Sequence, residues 1–426
     1  MADTKNDLLP VAGNGLLDRR LFMKTLVVGS ASVSSGMAFA QSAGQGQPDW
    51  ILEPGATATG YGSRSGFEMD RTKRWTVPPA GQVATGRSVV AFTPFHQMHG
   101  TITPGGLHFE INHHGIPDID PDQHDLVIHG MVRNPIKLNI DALENYPTET
   151  HQYFLECAGN SGALLAPEPS PANLDLMYGL MSGSEWTGVA LSTLLEEVGV
   201  SPDAKWLIVE GGDSGSLSRS IPLDKAMDDS IIAFYQNGER LRPGQGYPMR
   251  LFNPGYEGNT SIKWVRSIRL ADKPAMTRFE TSNYTDLMPD GKALQFTFPM
   301  EVKSVITRPA NNNTLPKKGV YEVTGLAWSG NGRITKVEVS ADGGKTWAEA
   351  ALQGPVLPKM LTRFRIPWDW QGGPAVLQSR AIDETGMVQP TREALFAAKG
   401  KHSRYHFNGI HSWGVDEEGG IKHVYA

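Results

Sequence analysis

The sequence predicts an α+β domain followed by a β-sandwich of immunoglobulin type. Three observations carry that expectation. From Val89 to Leu270, short strand-like runs alternate with turns and a few short helical stretches, without a regular strand–helix–strand order. Beyond Arg308-Pro309 and the Asn311-Asn312-Asn313 turn, the chain becomes a series of strands separated by Gly and Asp turns. Glycine and proline are plentiful, 47 and 29 of 426 residues, which suits a fold made of many strands and loops.

Taken in order, residues 1–40 read as a twin-arginine signal peptide. Asp18-Arg19-Arg20-Leu21-Phe22-Met23-Lys24 resembles the twin-arginine motif, and a weakly apolar run from Thr25 ends in Ala38-Phe39-Ala40, a small-residue cleavage pattern. That run is too short and too rich in Ser and Gly to anchor across a bilayer, so a soluble periplasmic protein is expected, with no membrane span. Residues 41–90, rich in Gly, Ser, Pro and Arg, read as an extended arm. The α+β domain is expected over 91–300, the sandwich over 301–410 and a C-terminal tail over 411–426.

Within the first domain, Asp125–Gly130 and Trp206–Gly211 read as strands. Ala190–Val198 reads as a short amphipathic helix entered through Thr187-Gly188. In the second, Tyr321–Trp328, Ile334–Ser340 and Trp347–Leu352 read as strands, with Asp342-Gly343-Gly344 as a tight hairpin.

Composition removes several classes of function. The charge of -6, with 20% charged residues, offers no basic surface for nucleic acid. A single cysteine, Cys157, excludes intrachain disulfides, four-cysteine zinc sites and protein-ligated iron–sulfur clusters. No CxxCH occurs, so c-type haem attachment through two thioethers is excluded, and no GxGxxG or GxxxxGK[ST] loop suggests a nucleotide.

Cys157 closes an expected strand, His151–Glu156, and opens the small-residue turn Cys157-Ala158-Gly159-Asn160-Ser161-Gly162. A lone cysteine can be an inert buried hydrophobe. In a turn this compact it can also come close to a bulky ligand, and its thiolate is a soft donor for a redox metal. Seven of the twelve histidines fall between His96 and His129, so a His-ligated copper or zinc site built on His96-Gln97-Met98-His99 is a competing expectation.

The ordered set of segments around Cys157 resembles the sulfite oxidase family of molybdenum enzymes. Cys157-Ala158-Gly159-Asn160 is similar to the turn whose cysteine binds molybdenum, and Phe109-Glu110-Ile111-Asn112-His113 to the stretch that grips the pterin. Glu185-Trp186-Thr187-Gly188 and Glu210-Gly211-Gly212-Asp213 follow in family order. Asn237-Gly238, Gly246-Tyr247-Pro248-Met249-Arg250 and Ser261-Ile262-Lys263-Trp264 resemble the run that places Arg and Lys on the pterin phosphate. Tyr284, twenty residues past Trp264, occupies the place of the family's active-site tyrosine. Val339–Trp347 and Arg380–Asp383 extend the likeness into the second domain, which the resemblance makes a dimerisation domain.

The resemblance implies a molybdenum–molybdopterin cofactor with no haem on this chain. Cys157 would be the metal ligand and Tyr284 the substrate-positioning group. Phe109, Asn112, His113, Asp213, Arg250, Ser261 and Lys263 would hold the cofactor, with charge-assisted hydrogen bonds from Arg250 and Lys263 to its phosphate. Cationic positions of the family are neutral here, at Ile111, Gly162 and Ser182; Asn283 replaces an Asp, and Lys399 falls near a late pocket arginine. Each charged hydrogen bond lost from an oxyanion pocket costs roughly 1.5–3 kcal/mol.

That pattern is similar to the molybdenum subunits of bacterial sulfane dehydrogenases. It implies a dihaem c-type cytochrome partner, a sulfur-carrier protein as substrate, and a homodimer within a heterotetramer. A periplasmic sulfite dehydrogenase and a cofactor-free scaffold subunit are the alternatives.

Overall fold

The structure, a computed structural model, describes residues 10–18, 54, 61–62, 64–68, 71–76, 88–311 and 313–426. Arg19-Arg20, the apolar run behind them and Ala38-Phe39-Ala40 lie outside the described residues, as does most of 41–90.

The first domain is built on two sheets. One runs in the order Ser218–Pro222, Trp206–Gly211, Val265–Ala271, Leu126–Gly130, Ile136–Leu138, with its third and fourth strands parallel. In Trp206–Gly211 every second residue is buried, the period of a strand with one face on the core. The other sheet is antiparallel, in the order Glu239–Arg240, Ile231–Gln236, Met181–Ala190, Thr148–Glu156, with Arg250–Phe252 also paired to Ile231–Gln236. Ile128, Leu207, Ile232, Leu251 and Ile268 from both sheets share one core.

The helix Leu191–Val198 covers that core with Leu191, Leu194, Leu195 and Val198, the spacing of a single apolar stripe, and ends at Gly199 in the left-handed region. Its entry is Ala190; the expected entry, Thr187-Gly188, lies inside the strand Met181–Ala190. The pairing with Ile231–Gln236 runs on through those two residues, so the ladder overrides the local turn signal. Arg74–Thr76, within the expected arm, pairs with Val89–Phe92, whose first two residues also fall in that arm, and Val89–Phe92 pairs with Glu110–Asn112.

The second domain is two packed sheets. Lys303–Arg308, Gly319–Trp328, Thr362–Trp370 and Ala351–Leu352 form one, extended by Pro10–Ala12 and Leu16–Leu17. Ala348–Glu349, Ile334–Ser340, Ala375–Asp383, Ser412–Val415 and Ile421–Val424 form the other. Val305, Leu326 and Phe364 from the first meet Val337, Leu377 and Trp413 from the second.

Two expectations change here. Trp347–Leu352 is two short strands in different sheets, with buried Ala350 at the crossing. Residues 411–426 are no tail: Ser412–Val415 and Ile421–Val424 are paired strands, and Trp413 is completely buried.

The two domains are joined through Glu156, the last residue of Thr148–Glu156 and completely buried. Its Oε1 accepts from Lys303 Nζ at 2.9 Å and from Asn160 Nδ2 at 2.8 Å, and its Oε2 accepts from Trp328 Nε1 at 2.6 Å. Lys303 is itself buried, and burial lowers its pKa while Glu156 opposes that shift. Replacing Glu156 with Gln strands that ammonium, which costs about 3–5 kcal/mol. Denaturant unfolding of Glu156→Gln should show a loss of that size, whereas a loss below 1 kcal/mol would mean the seam does not need the charge.

Candidate active site

The strand Thr148–Glu156 delivers Cys157 into a compact turn. The Asn160 N–H donates to Cys157 O at 2.9 Å, the Gly162 N–H donates to Gly159 O at 3.1 Å, and Ser161 is left-handed. From the opposite side Gly258 approaches so closely that a Cβ there would lie 2.9 Å from Glu156 O and 3.6 Å from Cys157 Cα, so no larger residue fits.

Cys157 opens on a narrow cleft with room for about 90 Å³ of water-sized spheres. Every residue that the resemblance assigns to the site lines it: Phe109, Asn112, His113, Cys157, Asp213, Arg250, Ser261, Lys263 and Tyr284. They come from separate strands and turns of the first domain.

The cleft is built for an anion. Arg250 is buried; its Nη1 donates to Gln245 O at 3.0 Å and its Nη2 to Ser261 O at 2.8 Å, while its buried Nε has no partner among the described residues. Lys263 Nζ donates to Ile111 O at 2.9 Å, to Gly244 O at 3.0 Å and to Asn112 Oδ1. None of these acceptors is a carboxylate. Burial lowers Arg250 to about 9 and, with Arg250 adding repulsion, lowers Lys263 to about 7. Two neighbouring cations held only by neutral oxygens are a pair that a phosphate would complete. Gly246, at φ +110°, makes the turn that brings them together: a Cβ there would press on both Arg250 and Lys263 at 3.1–3.2 Å.

Other groups fit an organic ring system. Burial pushes His113 down to about 4, so its imidazole is neutral at neutral pH and can donate or accept at a heterocycle edge. Both polar atoms of the Asn259 amide are buried at the cleft without partners among the described residues. Burial also raises the Cys157 thiol to about 12, so a thiolate there calls for a cation beside it, as a bound metal would provide.

Tyr284 is left-handed, at φ +53°, and is held by groups the sequence reading missed. The Arg219 guanidinium lies 4.9 Å from its ring centre, and the Tyr405 ring packs on it at 5.4 Å. Arg219 is fully buried between Glu280 (Nε to Oε1, 2.9 Å) and Glu257 (Nη1 to Oε1, 2.9 Å), and Glu257 Oε2 meets His406 Nε2 at 2.9 Å. The His406 N–H donates to Ala158 O at 2.9 Å, so a segment of the second domain grips the cysteine turn. Apart from Glu280, these groups lie far from Tyr284 in sequence, and no local pattern marks them.

The departures from the family pattern do not all face the cleft. Ile111 lines it. Ser182 is buried beneath, its hydroxyl bonded to Thr93 Oγ1 at 2.7 Å and accepting the Phe109 N–H at 3.1 Å. A Cβ on Gly162 would meet nothing within 4 Å. Lys399 is tied to Glu301 and to His406 O, outside the cleft lining.

The histidine-rich alternative finds no geometry. His96 Nδ1 bonds Asp175 Oδ1 at 2.8 Å, His99 Nε2 meets Arg308 Nη2 at 3.2 Å, and no group of three His, Cys, Asp or Glu is arranged for a metal ion among the described residues. Nor is any helix among them long and apolar enough to cross a membrane.

Two family descriptions match the chain: the oxidoreductase molybdopterin binding domain over residues 113–279 and the Mo-co oxidoreductase dimerisation domain over 295–412. Human mitochondrial sulfite oxidase is 30% identical over 288 residues, covering 63% of this chain and 52% of that protein. The crystal structure of the sulfane dehydrogenase SoxCD from Paracoccus pantotrophus matches with a TM-score of 0.85 and 43% identity, covering 89% of this chain and 97% of that one. The chain belongs to the sulfite oxidase family. It is a molybdopterin oxidoreductase, with a cofactor-binding domain followed by a dimerisation domain. A tomato nitrate reductase is 29% identical over 69% of the chain. The chain spans 37% of the length of that protein and 57% of rat sulfite oxidase, so it corresponds to part of these curated relatives.

The cation pair gives a test on protein made without the cofactor. Lys263 is depressed from 10.5 to about 7, so without an anion its charging costs stability as pH falls through that window. Sulfate, whose own charge is constant there, should bind with proton uptake above about pH 7 and weaken as pH rises. Lys263→Met should reduce its affinity roughly ten- to a hundredfold, the value of one charged hydrogen bond. Calorimetry in buffers of different ionisation enthalpy reads both effects; pH-independent binding without proton uptake would mean Lys263 takes no part.

Proposed function

We propose that the chain is the molybdenum subunit of a periplasmic sulfane dehydrogenase. It oxidises sulfane sulfur carried on a protein's cysteine and passes the electrons to a dihaem c-type cytochrome subunit. The observation that carries this reading is the match to the sulfane dehydrogenase, at 43% identity over nearly all of that chain, against 28–30% for the sulfite oxidases and nitrate reductases. The cleft agrees with it: Ile111 takes the place of a family cation on the wall, so a free oxyanion finds less positive charge.

In this reading Cys157 supplies the thiolate to molybdenum. Arg250, Lys263 and Ser261 hold the terminal phosphate, while Phe109, Asn112, His113 and Asp213 contact the pterin. When bound, the molybdenum–molybdopterin group supplies the two-electron redox chemistry. Tyr284 turns its hydroxyl toward the substrate, and Arg219 below and Tyr405 beside it fix the ring. The lone cysteine leaves the chain no means to attach a c-type haem, so electrons leave to a partner. The second domain is read as an immunoglobulin-type sandwich that pairs two copies within a heterotetramer, and residues 1–40 as the export signal.

Cys157→Ser should retain pterin, measured by fluorescence after release, because the phosphate and ring contacts lie on other elements. Turnover should vanish, and wild-type activity in that variant would overturn the ligand assignment.

Substrate choice is tested by specificity constants for free sulfite and for a sulfane-loaded carrier protein. The wild type should prefer the carrier. Ile111→Arg combined with Gly162→Arg should shift preference toward sulfite by roughly tenfold or more, one restored charged hydrogen bond being the minimum gain. If the wild type oxidises free sulfite as well as it does the carrier, the periplasmic sulfite dehydrogenase is the correct reading.

A further inference from the structure

Residues 10–17 stand immediately before Arg19-Arg20, yet they are folded. Pro10–Ala12 and Leu16–Leu17 pair as a hairpin through Gly13-Asn14-Gly15, and Leu16 pairs with Trp368 on the outer strand Thr362–Trp370. Leu16 and Leu17 are 0% and 2% exposed, and Leu16 belongs to the core of the second domain.

The polar contacts are equally specific. Asn14 Nδ2 donates to Ala341 O at 2.8 Å, Trp368 Nε1 donates to Asn14 O at 2.7 Å, and the Gly13 N–H donates to Thr346 Oγ1 at 2.6 Å. Gly15 is sterically required, because at φ +90° a Cβ on it would lie 2.1 Å from Asp369 O; a Cβ on Gly13 would lie 2.1 Å from Asp342 Oδ2 and would displace that carboxylate. Shape, apolar burial and hydrogen bonding all select this segment.

The receiving groups come from two separate stretches, 341–346 and 368–369, carried on opposite sheets of the second domain. They lie side by side only after the two sheets have packed. An unfolded second domain has no such site to offer.

We propose that this face is a peptide-docking site for residues 10–17 of the same chain, and that docking restrains the twin-arginine pair once the second domain has folded. Arg19 is two residues beyond a buried leucine. A protease or receptor that binds its target extended over several residues can reach Arg19 only after Leu16 and Leu17 leave the core. The docking stands by itself; its consequence for export rests on reading residues 1–40 as a leader.

The full-length chain tests both parts. Hydrogen exchange should show the Leu16 and Leu17 amides protected in the wild type. That protection should be lost in Leu16→Asp/Leu17→Asp and, independently, in Gly15→Val, which leaves the second domain's own core untouched. Trypsin should cleave after Arg19 at least tenfold faster in either variant, with the thermal melt of the body retained. Unprotected amides in the wild type, or equal cleavage rates, would overturn the docking. Pulse–chase export should run faster in both variants; equal export rates with docking established would overturn the coupling to the leader and leave the peptide site standing.

Discussion

The cleft depends on a carboxylate that does not line it. Glu156 sits in the seam between the domains and collects three donors: an ammonium and an indole from the second domain and an amide from the cysteine turn. The last of these, Asn160, also accepts the Leu180 N–H at 3.2 Å through its Oδ1. The turn is thereby fastened to the neighbouring strand and to the seam at once. A buried charge pair gives little net stability when compared with apolar packing, but its geometry is exacting. One residue away from the sulfur, that demand becomes positional precision.

A second buried charge web works on the tyrosine. Arg219 is clasped by Glu280 and Glu257 and lies against the Tyr284 ring, while His406 joins Glu257 from the second domain. The carboxylates draw the guanidinium away from the cleft, so its charge stabilises the wall more than it serves a ligand. The Cys157 side and the Tyr284 side are thus each braced by ions shut off from water, where the low dielectric strengthens every bond. Between them, Arg250 and Lys263 lack a bonded carboxylate, and that contrast marks where a ligand's charge belongs.

Much of this was legible in the sequence because it rests on local rules. Strand period and turn residues located Trp206–Gly211 and Ile334–Ser340 to the residue. The ordered family segments brought every proposed site residue to one cleft. What escaped was non-local. Thr187-Gly188 reads as a helix entry until a partner strand claims it, and Ala350 reads as strand interior although the chain changes sheets there. Ser182 looked like a lost pocket charge and is a buried hydroxyl that accepts the Phe109 N–H, as only packing could reveal. Arg219, Glu257 and His406 are ordinary polar residues in sequence, and their roles arise from contacts across dozens to more than a hundred positions.

The segment Arg404–His406 leaves the second domain to pack behind Tyr284, where Asp286 Oδ1 accepts the Arg404 N–H at 2.7 Å and the Tyr405 ring packs on that of Tyr284. A stretch within the dimerisation-domain match therefore supports a tyrosine of a cleft whose lining comes from the first domain. The two domains are not interchangeable modules: shuffling either half between relatives would exchange part of a tyrosine's cradle along with it. A change in the second domain can thus reach the cleft through the tyrosine's supports without lining it.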